Sequence, residues 1–559
     1  MRRILCAFGV LVLWVGVACA EQTVIMMPED NYRAILDKMD TMQKRIDTLE
    51  SQKGGAPAAI TQAPEDDRVN ELAQDISTIY DTLDVVETKS VLDRLNLGVE
   101  LRTRMDNWKV EDFWRMPDKI GYATMGTLLN SPGFSTLTPE EQGAYMAMAS
   151  QYMNFTAVST GNYVPAGYPT PVLRTESNDN SWTNRFRLNM DADISKSLKF
   201  TGRMTVYKNW ANSSEIYMQN NASRAHAPGD TTIMLDRAYI DWIPDLPIPL
   251  AITFGRQPST EGLGSEIKED RKRQSTYPAL VFDGECEGFV TTLGLERYTG
   301  LKNSGLRLFY AKGFQSNDQY DFYLDNYRMD ISDTPVTGLF FETEIPKVPN
   351  SILVLSYVRG DNYPDMFENV VEVGDMDLYA FHAQASDFMD TGLDLFFSYG
   401  MNVTHPNGDI YSMTARDPQT GAIISDPGTG APLTVPMGGF MTSTPGDTES
   451  QTGWALYAGL RYTVPVDALN NPKVGFEYNH GSKYWFTYTW GSAELYNKQA
   501  TRGDVFDFYY IQPFNKNLFL RTGYTMVDYA YTGSGVHLGE PMEADTTLRN
   551  FYFLLDSRF

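Results

Sequence analysis

Cysteine is scarce in this 559-residue chain, with three in all: Cys6, Cys19 and Cys286. Two of them fall in the first twenty residues, where Met1-Arg2-Arg3 precedes an apolar run from Ile4 to Val17 and then Ala18-Cys19-Ala20. A basic start, a short apolar core and a small-x-small site predict a secretory signal over residues 1–20, leaving Glu21 first in the mature chain. Cys19 would allow lipidation, but Gly16 is a poor residue three places before a lipidated cysteine. Cys286 then stands alone, so no disulfide framework can form within one chain. There is no Cys-x-x-Cys-His, so the polypeptide cannot itself attach a c-type haem. Also lacking is any run near the ~20 apolar residues of a membrane helix. Five histidines, His226, His382, His405, His480 and His537, are scattered without metal-ligand spacing. A Gly-x-Ser-x-Gly elbow, a phosphate loop and a dinucleotide fingerprint are missing. Cys286 lies between Glu285 and Glu287, charges that disfavour a thiolate. No enzyme activity, metal or cofactor is expected.

Aromatic residues are abundant, at 13% and well spread, while the mean hydropathy is negative. A secreted, aromatic-rich chain, polar on average and without a spanning helix, suits a membrane β-barrel, half of whose strand residues face water. The net charge of −25 excludes a nucleic-acid partner and tight docking on anionic lipid.

Residues 21–93 read as helical. Tyr32, Ile35, Met39, Met42, Ile46 and Leu49 recur at spacings of three and four, as do Val69, Leu72, Ile76, Ile79, Leu83 and Val86. This is an a/d heptad pattern, interrupted by a Gly/Pro linker over 52–64. So narrow a stripe points to a coiled coil between chains, the alternative being a helical pair packed within one chain or on the barrel mouth.

From residue 94 to 559 the period changes to two. Leu95, Leu97, Val99 and Leu101 alternate with Asn96, Gly98, Glu100 and Arg102; Phe186, Leu188, Met190, Ala192 and Ile194 alternate with Arg185, Arg187, Asn189, Asp191 and Asp193. Further alternating stretches run to the terminal one, where Phe551, Phe553, Leu555 and Phe559 share a face with Ser557. Seven short connections separate them in pairs: 195–197, 244–249, one around 302–304, 346–350, 387–391, 465–472 and 513–517. Long Gly/Pro/Asp-rich segments join the other ends. Short turns on one side and long loops on the other predict an all-β transmembrane barrel of about sixteen antiparallel strands. Tyr484–Thr489 also alternates and could add a hairpin. Two loops are far longer than ordinary connections, about 109–180 and 402–450. The second, rich in Gly and Pro, reads as mobile.

The candidate site is the set of polar-parity residues on the first strands. Arg102, Arg104, Arg185, Arg187, Arg203 and Arg237 fall on one wall of the lumen, with Glu100, Asp191, Asp193 and Asp241 among them. The third long loop adds Glu261, Glu266, Glu269 and Asp270 beside Lys268, Arg271, Lys272 and Arg273. A charged ring around a water-filled pore sets ionic preference; alternatively, the arginines only pair with acids to fill the lumen. Arg256 falls on the lipid parity and is expected at the rim.

The closing strand to Phe559, Leu235-Asp236-Arg237-Ala238-Tyr239-Ile240-Asp241-Trp242 and Phe254-Gly255-Arg256-Gln257 resemble the bacterial outer-membrane porins. The prefix resembles a subgroup that carries a periplasmic coiled coil before the barrel. The resemblance implies an outer-membrane channel for passive diffusion of small hydrophilic solutes or ions, with the prefix in the periplasm. It also implies contact with outer-membrane lipid, trimers, recognition of the last strand by the barrel assembly machinery, and a constriction made by Ser259 to Pro278 facing the arginine wall. Two other classes fit the same layout: a barrel sheath or docking partner for a multihaem cytochrome that moves electrons across the outer membrane, and a surface adhesin or receptor using the long loops.

Overall fold

The computed structural model describes Lys44 and residues 94–115, 133–143, 172–210, 232–257, 261–316, 331–365, 370–414 and 422–559, the last without 424, 427, 490, 492 and 493. The expected signal segment and, apart from Lys44, the heptad prefix lie outside the described residues. Contacts divide the chain into units 1–96 and 97–559, and nearly all described residues belong to the second.

Sixteen strands close into a barrel. They are β1 (Leu95–Arg115), β2 (Val172–Ser195), β3 (Leu198–Asn209), β4 (Thr232–Trp242), β5 (Leu250–Arg256) and β6 (Glu287–Gly294). Next come β7 (Gly305–Phe314), β8 (Thr334–Thr343), β9 (Ser351–Pro364), β10 (Glu372–Ala385) and β11 (Leu393–Pro406). The circuit ends with β12 (Thr452–Thr463), β13 (Lys473–Gly481), β14 (Gly503–Asn515), β15 (Leu518–Tyr531) and β16 (Glu543–Arg558). Each strand pairs with its sequence neighbours, and β1 closes on β16 with Glu100 opposite Arg558 and Arg102 opposite Asp556. Closure removes both sheet edges.

The period-two reading holds along β1 and β16. On β1, Leu97 is 61% exposed on the outer face while Glu100, Arg102, Arg104 and Asp106 point inward and are buried. On β16, Phe551 and Leu555 face out, whereas Tyr552, Leu554 and Asp556 face in. All seven short connections fall where expected, between β2 and β3, β4 and β5, and so on to β14 and β15. The opposite ends carry eight loops, numbered here in chain order.

Four expectations need correction. The lumen-facing side is polar only in part. On β6 to β12 the inward residues include Val290, Phe309, Phe340, Val354, Val358, Met376, Leu378 and Phe396, all buried in an apolar core. These strands carry apolar residues on both faces because loops, not water, cover the inner one. β1 runs to Arg115, so the first loop begins later than residue 109. The sixth loop is not simply mobile. Its first residues continue β11, Tyr411–Thr414 pairs with Thr434–Gly438, and Phe440 and Met441 are buried. Finally, 484–489 adds no hairpin. Only Tyr488–Thr489 is extended, pairing in parallel with Phe282–Asp283 of the third loop.

Candidate functional site

The third loop enters the barrel instead of leaving it. It departs from β5 at Gly255, whose φ of 116° suits glycine and whose place would bring a Cβ within 2.4 Å of the Ala238 carbonyl oxygen. Two further turning points, Glu261 and Asp270, hold left-handed φ values of 59° and 49°. Such angles carry local strain in residues with a Cβ, and surrounding contacts must hold them. Between them lies the single-turn helix α1 (Ser265–Lys268).

Glu261 is the hub of the polar side and is fully buried. Its Oε1 accepts from Arg187 Nη1 at 2.6 Å and Arg185 Nη1 at 3.3 Å. Its Oε2 accepts from Arg271 Nη1 at 2.6 Å and Arg203 Nη1 at 3.3 Å. Arg271 also donates to Glu100 at 2.7 Å, and Arg203 Nε to Asp236 at 2.6 Å. Burial alone would raise the Glu261 carboxyl. The guanidiniums of Arg187, Arg271 and Arg203 hold it well below the usual carboxylate range.

The residues after α1 radiate to different strands. Lys268 pairs with Asp507 on β14 and with Glu494 of the seventh loop. Glu269 pairs with Arg102 on β1 and, at 2.8 Å, with Arg521 on β15. Asp270 meets Arg461 on β12 at 2.8 Å and Lys473 on β13. Arg273 reaches Glu342 on β8 at 3.0 Å. Gln384 on β10 donates to Glu266 Oε1 at 2.8 Å, and Glu266 Oε2 has no hydrogen-bond partner among the described residues. Burial therefore pushes Glu266 up to about 7. One short segment thus touches the wall around most of its circumference and crosses the lumen.

Its other side is apolar. Leu263, Ile267, Tyr277, Leu280, Val281 and Phe282 pack on the inward residues of β6 to β12. The seventh loop folds in beside them, with Trp485 fully buried and its Nε1 donating to the Gln499 carbonyl at 2.8 Å. Over the long-loop end lies a ring cluster from three loops and a strand end. His537 of the eighth loop lies 5.4 Å from Tyr363 (β9), 5.3 Å from Phe440 and 5.4 Å from Phe486. Its Nε2 lies 2.8 Å from the Pro364 carbonyl oxygen, and burial pushes the imidazole down to about 4.

Most expected site residues come together here. Glu100, Arg102, Arg185, Arg187, Arg203 and Arg237 on the wall meet Glu261, Glu269, Arg271 and Gln274 of the loop, with Arg237 donating to Gln274 at 3.2 Å. Arg104 pairs with its strand neighbour Asp106 at 2.8 Å and with Glu494 at 3.3 Å. Three lie apart. Asp191 and Asp193 are exposed toward the short-turn end, and Lys272 is exposed on the loop. Asp241 accepts from Thr253 at 2.5 Å on the neighbouring strand. Arg256 stays on the outer face, bonded to Glu287 at 2.5 Å and to the Leu235 carbonyl at 2.7 Å.

Several participants were missed. Asp507, Arg521 and Asp556 sit on the inward parity of expected strands, so alternation could have found them. Asp236 turns inward beside the expected Arg237 because the register with β3 shifts between Arg203 and Met204, a bulge without a sequence mark. Glu494 and Lys498, which pairs with Glu477 and, at 3.0 Å, with Asp507, lie in a loop whose inward course no local pattern announces. Among the described residues no cluster of His, Cys, Asp and Glu could hold a metal ion.

Two solved structures are similar to the chain. Pseudomonas putida OprB, in its high-pH structure, is 12% identical with a TM-score of 0.41, covering 84% of this chain and 96% of OprB. Salmonella typhi OmpF, in complex with daunomycin, is 11% identical with a TM-score of 0.38, covering 83% of this chain and 97% of OmpF. No curated protein sequence matches the chain. Residues 175–552, more than half of its length and nearly the whole barrel, match one family model, and the chain belongs to that family, described as "Protein of unknown function (DUF3373)".

Proposed function

We propose that the protein is an outer-membrane channel for small hydrophilic solutes or ions, described here in a form that its third loop closes. The outward belt of Leu, Ile, Phe, Tyr and Trp around a closed antiparallel barrel supports residence in a bilayer. The observation that carries the channel reading is the contrast between the two sides of the loop. Toward β6 to β12 it is anchored mainly by an apolar core, crossed by the pairs of Arg273 with Glu342 and of Asp270 with Arg461. Toward β1 to β4 and β14 to β16 it meets the wall through charged and hydrogen-bonding groups. A permanent plug would gain more from apolar packing there, because buried ion pairs add little net stability. A charged seam can instead be rehydrated when the loop swings about its apolar anchor, and guanidiniums then line the path.

The oligomer belongs to the same proposal. The heptads of residues 21–93 hold copies together, a trimer being the favoured form, while the terminal strand serves recognition by the assembly machinery. The seam favours a channel over a cytochrome sheath, because the third and seventh loops occupy the volume that a threaded partner would need.

Single-channel recording in planar bilayers tests this reading. The wild-type protein is expected to conduct in rare openings that prefer anions, and Glu269→Gln to open more often. A membrane that stays silent with both proteins would overturn the channel.

A further inference from the structure

Beneath the third loop, at the short-turn end, the structure holds a cavity of about 270 Å³. Its base is formed by Asp270 of the loop, Lys473 at the start of β13, Arg558 at the end of β16 and Phe519 of β15. Its mouth carries Asn470, Asn471, Asn515, Lys516 and Asn517 from the two turns β12–β13 and β14–β15. Three cations thus face one carboxylate. That carboxylate is shared, since Asp270 is already paired with Arg461 at 2.8 Å as well as with Lys473. Arg558 stacks over the Phe519 ring, its charged carbon 4.8 Å from the centroid; its Nε bonds Asp556 at 2.8 Å, and its Nη1 and Nη2 donate to the Asp270 and Glu269 carbonyls at 3.0 Å and 2.8 Å. Asn470 and Asn471 hold left-handed φ values of 55° and 53°, and Asn470 Nδ2 donates to the Phe514 carbonyl at 3.1 Å. The mouth is therefore shaped before any ligand arrives.

We propose that this cavity binds a small oxyanion-bearing solute, a phosphate or a short carboxylate, and that binding loosens the third loop. The chemistry follows from the lining. Lys473 and Lys516 supply ammonium donors for oxyanions, Arg558 adds positive charge, and the carboxamides supply neutral donors. The volume admits a small metabolite and excludes a polymer. The coupling follows from Lys473, which serves the cavity and Asp270 at once. An oxyanion on its ammonium competes with Asp270 and weakens the tie between loop and β13. By linkage, the same solute binds the open form more tightly than the closed one. This names a solute class for the proposed channel, and the coupling rests on that reading; the binding site does not.

The test uses the full chain in detergent and in planar bilayers, with inorganic phosphate and succinate as separate probes. Saturable binding by calorimetry is expected for one of them, roughly tenfold or more weaker in Lys473→Met, the loss of one charge-assisted bond. The same probe is expected to raise the frequency of openings from the short-turn side only, and the response is lost in the variant. Binding of neither probe, or binding undiminished in both Lys473→Met and the turn variant Lys516→Met, overturns the site. The second variant changes an exposed turn and keeps the test decisive if the first fails to assemble. Probe binding without any conductance would refute the channel and leave the site standing; conductance without probe binding would do the reverse.

Discussion

Arg187 Nη1 lies 2.6 Å from Glu261 Oε1, and both side chains are sealed from solvent. The pair is one corner of a cluster in which a single loop carboxylate bonds four guanidiniums, with Glu100 and Asp236 sharing their charge. Removing one partner of such an arrangement costs more than the pair contributes, because the remaining charges are left buried and mutually repelling. Glu261→Gln is expected to destabilise the closed form by about 3–5 kcal/mol. In bilayers that appears as frequent openings, and in gels as a lower temperature for the shift in heat-modifiable mobility. A variant that opens no more often than wild type would remove Glu261 as the latch.

Glu266 predicts how closure depends on pH. It sits on the loop, outside the spanning strands, and its pKa rises from an ordinary 4.5 to about 7 when the loop is in place. The closed form therefore binds the proton more tightly than a form in which Glu266 is solvated. The stabilisation is fully present below about 4.5 and is lost as pH rises through about 7, a difference of roughly 3 kcal/mol. Open probability is expected to climb between pH 5 and 8. Glu266→Gln, which cannot ionise, should flatten that climb, and an unchanged profile in the variant would refute the assignment.

His537 has the opposite sign. Burial lowers it from 6.5 to about 4, so the ring cluster favours the neutral imidazole. Its stabilisation is present above 6.5 and is lost as pH falls through about 4. Acidification should thus loosen the sixth, seventh and eighth loops while tightening the third. Protease cleavage within residues 532–542, measured on intact protein, is expected to rise from pH 7 to pH 4. His537→Phe is expected to keep the loops protected at both values.

How much of this was legible depends on where the physics is local. The alternation on β1 and β16 marks the wall because Leu97, Leu101, Phe551 and Leu555 keep the outer face apolar whatever the lumen contains. The short turns were equally plain, since Pro or Asn marks five of the seven. The arginine wall and the acidic loop could each be read. Their meeting could not, because the contact between Glu261 and Arg203 spans residues 58 apart and depends on a loop turning inward. Nor could the apolar lumen of β6 to β12, where Phe340 and Met376 look like ordinary strand residues until Tyr277 and Leu280 cover them.

That apolar half yields the sharpest mechanical prediction. Leu280 is completely buried inside the barrel, whereas Leu97 stands 61% exposed on the outer face. Both are leucines on one barrel, so truncation to alanine removes the same atoms from different surroundings. Leu280→Ala leaves a cavity between the loop and the wall and is expected to cost about 2–5 kcal/mol. Leu97→Ala leaves no enclosed void, because lipid or detergent closes around it. If the apolar side is the hinge on which the loop is anchored, Leu280→Ala should also lengthen openings, while Leu97→Ala changes neither their length nor their frequency. Equal effects from the two substitutions would mean that the interior packing does not hold the loop.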